Sequence, residues 1–377
     1  MDEPIDNLLV ALTAAVILNA SSAVAQSSIS DRYAVVEASS NYAPAITEAR
    51  AEVAVLMDAG APGVSIAVGV NGELVWAEGF GYADIENAVP VTPQTKFRIG
   101  SVSKTMTSIA MGVLYEEGVI DLDRPIQDYL PDYPMKEKGI ITLRLLASHR
   151  AGIRHYLPDG SDNLIQDHYD DVVDALEVFK DDPLLAVPGE AYSYSSHGYN
   201  LLSAVLQEAS GVDFLTLMRE RVFSPLGLLE TLADHTDYIV TARASPYARR
   251  DNKLINAVYV DNSYKWAGGG FLSTPSDLIK FGFGVFNSGI LEKETIELLL
   301  SSPILPDGQI ADQNYGLGWM TLDENGVWFG HTGGSVGGNT LFMMNPEADI
   351  VVALVCNLSG CLGANSDLRN IGLYFME

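Results

Sequence analysis

Ser101-Val102-Ser103-Lys104 opens a stretch in which Met106, Ile109, Ala110, Val113 and Leu114 recur at helical spacing before Gly118, which reads as an amphipathic helix buried on one face. A separation of three on a helix puts the Ser101 hydroxyl and the Lys104 amine on one face, within reach of each other. That is the geometry a serine nucleophile needs. An unassisted hydroxyl is too weakly acidic to attack a carbonyl, whereas a partly desolvated amine beside it is neutral often enough to take the proton. A helix start adds unpaired backbone N–H groups and the positive end of the macrodipole, so the Ser101 amide is placed to hold a developing oxyanion. Alone, Ser-x-x-Lys is a weak pattern that reads equally as a capping serine beside a solvated lysine. Two other groups join it. Tyr194-Ser195-Ser196 stands just ahead of a second amphipathic segment with Leu201, Leu202, Val205, Leu206 and Ala209 before Gly211, and His331-Thr332-Gly333, followed by Gly334, sits in a late strand pattern.

The elements that must position these groups come from both ends of the chain. A helix is expected from about Pro44 to Met57, and Ser65–Val70 and Leu74–Tyr82 flank Asn71-Gly72, a strong hairpin turn. Val327–Thr332, Asn339–Asn345 and Asp349–Cys356 are short, apolar and turn-bounded, and read as strands. The stretch between reads as helices and loops. The expectation is an α+β fold: an antiparallel sheet flanked by terminal helices, with a mainly helical insertion. Residues 26–377 form one domain without repeats or low-complexity linkers, its sheet part at about 26–115 and 265–377 and its insertion at about 116–264. The active site is expected at the seam between the two parts.

The 377 residues are 47% hydrophobic and 19% charged, with 22 Lys and Arg against 49 Asp and Glu, a formal charge of -27. A nucleic-acid backbone would be repelled, and an anionic substrate disfavoured unless the site gathers its own positive groups. Leu8–Ala25 is apolar and Ala-rich and ends Ala23-Val24-Ala25, which reads as a signal peptide over 1–25 and implies a periplasmic or secreted protein. The acidic start Met1-Asp2-Glu3 leaves an uncleaved anchor or a misassigned start codon as alternatives. No later segment has the apolar length to span a bilayer. Cys356 and Cys361 either pair in an oxidising compartment or stay as two buried thiols, and the second is the default reading. No metal or cofactor is implied: His149 and His155 are six apart and no zinc-binding spacing occurs. Gly333-Gly334-Ser335-Val336-Gly337 matches G-x-S-x-G, but a strand rather than a helix follows it, so Ser335 reads as part of a turn. Gly268-Gly269-Gly270 lacks the lysine of a phosphate loop and reads as close backbone packing. Asp261, Asn262 and Lys265 read either as polar residues of the site wall or, by default, as solvated loop positions.

Taken jointly, Ser101-x-x-Lys104, Tyr194-Ser195-Ser196 and His331-Thr332-Gly333 resemble the three-motif signature of class C β-lactamases, DD-peptidases and β-lactamase-like esterases (peptidase family S12): Ser-x-x-Lys, Tyr-x-Asn and Lys-or-His-Thr-Gly, in that order. The resemblance runs from about Ala61 to Leu358. It is strongest toward the mitochondrial β-lactamase-like branch, on Gly152-Ile153-Arg154-His155-Tyr156 and the block Val260–Gly270. It implies acylation of Ser101, Lys104 as first base, and Tyr194 relaying the proton to the leaving group through a phenol of depressed pKa. Ser101 and Gly334 N–H would form the oxyanion hole, His331 would contact the carboxylate side of the substrate or bond to Tyr194, and His155 would line the site, although a loop histidine bonded to backbone is an equal reading of it. Ser196 stands where the family usually has Asn, and a neutral His331 would hold a β-lactam carboxylate weakly. The implied activity is a peptidase or amidase on small peptide-like substrates. The alternatives are a carboxylesterase, a β-lactamase ranked lower, and a non-enzymatic binding or scaffold protein. The oligomeric state is not legible.

Overall fold

The computed structural model describes residues 36–37, 40–304, 314–362 and 366–376, so the segment at 1–25, expected to be a signal peptide, lies outside the described residues. Its centre is an antiparallel sheet whose strands run, in spatial order, Val36–Glu37, Glu73–Asp84, Gly63–Val70, Ile350–Cys356, Gly338–Asn345, Phe329–Ser335 and Met320–Thr321. Val89–Pro90 pairs on the outside of Glu73–Asp84. The first hairpin turns where expected, with Asn71 at φ 53° and Gly72 at φ 78°, the left-handed pair that matches the twist of the flanking strands. The chain ends meet in the middle of the sheet: Val352 pairs with Val68 and Leu354 with Ile66.

Gly63–Val70 and Ile350–Cys356 are buried along their whole length because both faces of the sheet are covered. Val64, Ile66, Val68, Ile350, Val352 and Leu354 face the terminal helices Ala43–Asp58 and Ile371–Tyr374. Ala67, Val351, Ala353 and Phe342 face the opposite way, toward helix Pro275–Asn287 and the Ser103–Glu116 helix. Small residues on this second face let Pro275–Asn287 lie close: a Cβ on Gly69 would stand 2.4 Å from Ile279 and Phe283, and one on Gly282 would stand 2.6 Å from Val351.

Three local expectations are corrected. The Ser103–Glu116 helix is not buried on one face only, since every residue from Ser103 to Gly112 is buried; its polar Thr107 and Ser108 are satisfied by the carbonyls of Ala267 and Leu317. The middle of the chain is not free of strands. Tyr247–Arg250 and Lys253–Asn256 form a hairpin across Asp251-Asn252, both with positive φ, and Leu232–Ala233 joins Phe97–Arg98 on Phe271–Ser273 in a small separate sheet. Finally, Cys356 and Cys361 are not free thiols but a disulfide that ties the end of a central strand to the following turn.

Candidate active site

Gly100–Val102 is a single 3-10 turn that runs into the Ser103–Glu116 helix, so Ser101 sits at the mouth of the helix and Lys104 one turn inside. The turn is pressed directly on strand Phe329–Ser335. Gly100 has φ 53°, and a Cβ there would meet the Gly334 carbonyl at 2.7 Å; a Cβ on Gly333 would meet the Ile99 carbonyl at 1.9 Å. Only glycines allow this backbone-on-backbone contact, which brings the Ser101 and Gly334 main chains to one place. Both residues line a cleft of about 390 Å³ together with His155, Ser196 and Lys265.

Lys104 Nζ lies 3.0 Å from Ser101 Oγ and 3.1 Å from Ser196 Oγ, and donates to the Gly268 carbonyl. The side chain is wholly buried. Burial first, and then the charge of Lys265, hold its pKa well below the ordinary lysine range. Ser196 Oγ thus meets the lysine in the place where the resembling family has an amide. The glycine run at 268–270 places the carbonyl: a Cβ on Gly268 would stand 3.1 Å from both Asn200 Oδ1 and the Ser196 carbonyl, a tight fit against the start of the Ser196–Ser210 helix.

The Tyr194 ring stands 5.0 Å from Lys104 Nζ, centroid to nitrogen. Its phenol is not depressed as expected. Burial pushes it well above the usual tyrosine value, and the Ser101 and Ser196 hydroxyls beside it oppose this without reversing it. Burial therefore favours the neutral amine of Lys104 and keeps the Tyr194 phenol protonated beside the serine.

His331 departs from its expected place. It is 2% exposed and is not part of the cleft wall. Its Nδ1 lies 2.5 Å from the Thr332 carbonyl, which can only accept, so Nδ1 carries the proton and Nε2, at 3.1 Å, accepts from the Tyr315 hydroxyl rather than from Tyr194. Burial, then Lys104, hold its pKa down at about 3, leaving it uncharged. His155 does line the cleft, and its Nδ1 accepts the Ser196 N–H at 3.1 Å. His149 does the same for the neighbouring N–H of Ser195, also at 3.1 Å. Ser195 Oγ accepts from Gly198 N, capping the Ser196–Ser210 helix, and donates to the Arg154 carbonyl. Two histidines six apart thus hold two consecutive amides of the Tyr194-Ser195-Ser196 turn.

Sequence reasoning missed Asn163 and the Gly268 carbonyl, and gave Lys265 a place in the site wall only as the less favoured reading. Asp261, Asn262 and Lys265 are buried rather than solvated: Asp261 bonds to His168 and Thr236, Asn262 to Asp234, and Lys265 Nζ to Asn163 Oδ1 at 3.1 Å. An unbroken run of residues joining polar groups to Tyr264, Trp266 and three glycines was the one available signal that this block is interior.

A β-lactamase family model matches residues 48–373. The chain belongs to the β-lactamase family. Members of this family are serine hydrolases, and human serine β-lactamase-like protein LACTB, a mitochondrial protein by its name, is 32% identical over 84% of this chain and 77% of its own. An octameric penicillin-binding protein homologue from Pyrococcus abyssi superposes with a TM-score of 0.73 at 25% identity, covering 88% of this chain and 76% of that one. D-amino acid amidase from Ochrobactrum anthropi shares the β-lactamase fold, with a TM-score of 0.73, 22% identity, and coverage of 87% and 97%.

Proposed function

We propose that this β-lactamase-family chain is an acyl-enzyme peptidase or amidase acting on small peptide-like substrates, with Ser101 as nucleophile. The observation that carries the reading is Lys104: a wholly buried amine, 3.0 Å from Ser101 Oγ, bonded otherwise to a hydroxyl and a carbonyl, so its neutral form is favoured and its lone pair can face the serine. As Ser101 Oγ attacks the acyl carbon, its proton passes to Lys104 and the oxyanion is held by the Ser101 and Gly334 amides. Tyr194, kept protonated by burial, gives its proton to the leaving nitrogen as the C–N bond breaks, and the Lys104 ammonium restores the phenol. Water then attacks the ester, its proton passing to the regenerated Lys104 amine and on to Ser101 Oγ as the acyl group leaves. A proton-donating phenol suits an amine leaving group, which must be protonated to depart, and supports amide over ester cleavage. Ser196 binds the lysine and His155 holds the Tyr194 turn, while His331 supports Tyr315. A periplasmic or secreted location belongs to the same proposal and is supported by the Cys356–Cys361 disulfide.

A fluorophosphonate probe tests the nucleophile. Wild type takes up one probe on Ser101, found by mass spectrometry, and Ser101→Ala takes up none; undiminished labelling of the variant would remove the proposal.

A further inference from the structure

Lys265 is a buried lysine in the cleft that the proton-transfer scheme leaves unused. It ends the 3-10 turn Ser263–Lys265 and leads into the Trp266–Gly269 helix whose carbonyl holds Lys104. The residue is 3% exposed, yet lines the same cleft as Ser101. Among the described residues its Nζ makes one hydrogen bond, to the neutral amide oxygen of Asn163, and stands 5.7 Å and 5.1 Å from the ring centroids of Tyr156 and Tyr264. An ammonium has three donors, and among the described residues no carboxylate lies within ion-pairing distance of this one. The nearby acids are already committed: Asp162 to Arg154 and His197, Asp234 to Arg98 and Arg243. Burial, then the Arg98 guanidinium, bring the Lys265 pKa down to about 7, so that a partner entering the cleft decides its charge.

The rest of the cleft favours an anion. In a chain of formal charge -27, none of the described residues lining the cleft is acidic. His331, at the position where the resembling motif offers a cation, is uncharged and turned to Tyr315. A buried cation without a counter-ion is costly to keep, and a substrate that supplies the counter-ion offsets that cost when it binds.

We propose that Lys265, with Asn163 orienting its ammonium, forms a subsite for a carboxylate on the substrate, so that the acyl donor is an anionic small molecule. This rests on the hydrolase reading above. The test uses 4-nitrophenyl monoesters of succinic and glutaric acid beside their uncharged methyl-ester counterparts, with the full chain in each case. Wild type is expected to show a higher kcat/KM for the free acids. Lys265→Met is expected to cut that preference by about tenfold to a hundredfold, the scale of a lost charge-assisted hydrogen bond, mainly through KM, while Lys265→Arg keeps part of it. No preference in wild type, or the same preference in Lys265→Met, overturns the subsite. Should Lys265→Met fail to fold, wild type alone still decides: glutarate slows fluorophosphonate labelling of Ser101 if the subsite exists, and slows it no more than glutaramide if it does not. Failure of the underlying reading has a different signature, a wild type that neither labels nor turns over the uncharged esters.

Discussion

The two walls of the cleft are built by different means. On one side, Ser101, Lys104 and Gly334 belong to a helix start and a strand of the main sheet, and their relative positions follow from one helical turn and from glycine contacts between backbones. On the other side, Tyr194 and Lys265 stand on a loop and a short turn and Ser196 on the first residue of a helix, all held by side chains: His149 and His155 grip the amides of Ser195 and Ser196, Arg154 is fixed by Asp162 and Asp182, and Asn163 bonds Lys265. The first wall is as rigid as the core it belongs to. The second is only as firm as a set of buried hydrogen bonds, each of which depends on the protonation state of its members. Reactive atoms sit on the first wall, and the groups that shape substrate and leaving group sit on the second.

Three experiments press on that contrast, in falling order of effect. Lys104→Ala removes the base from the rigid wall and should lower kcat about a thousandfold on amides with little change in KM. A variant keeping a tenth of wild-type kcat would mean that the amine is not the proton acceptor. Tyr194→Phe changes the second wall, and should cost about tenfold to a hundredfold in kcat on peptide anilides, but only a few-fold on 4-nitrophenyl esters, whose leaving group departs without a proton. Equal losses on the two substrate types would place the phenol outside leaving-group protonation.

The smallest effect is on stability with pH. Burial lowers His149 well below 6.5, and burial with Lys104 lowers His155 to about 4; burial also lowers His197 to about 4. Above pH 6.5 these groups are neutral in folded and unfolded chains alike. As the pH falls from 6.5 toward 4 the unfolded chain takes up protons that the folded one refuses, so stability falls across that window. Around these rings stand Lys104, His331, Arg154, Asp162 and Asp182, and Asp162 opposes the loss at His197 without cancelling it. The expected outcome is a melting temperature that drops by several degrees between pH 6.5 and 4.5, with the Ser195 and Ser196 amides gaining hydrogen-exchange rate before those of strand Ile350–Cys356. A flat melting temperature over this range, or simultaneous exchange, would show the second wall to be as firm as the first.

How far each wall could be read in advance follows the same division. Ser101 and Lys104 were legible because three residues on a helix meet by local geometry, and the first hairpin because Asn71-Gly72 favours left-handed φ. The late strands were legible as short apolar runs, although Phe329–Ser335 extends farther into its glycines than the pattern suggested. The hairpin at Tyr247–Asn256 was not, since Tyr247 is its one buried residue and Arg249, Arg250, Lys253 and Leu254 give no apolar alternation.

By itself the sequence determined the order of the three motifs, the α+β fold and the pairing of a hydroxyl with an amine, all of which depend on residue type and on spacing within a turn or a strand. The tertiary structure decided the charges. Whether Lys265 is solvated or buried, whether the Tyr194 phenol is raised or depressed, and whether His331 faces substrate or Tyr315 depend on segments far apart in the chain, such as Asn163 and Lys265. The cost of carrying a charge is set by how much water those distant segments exclude, and no local spacing records that.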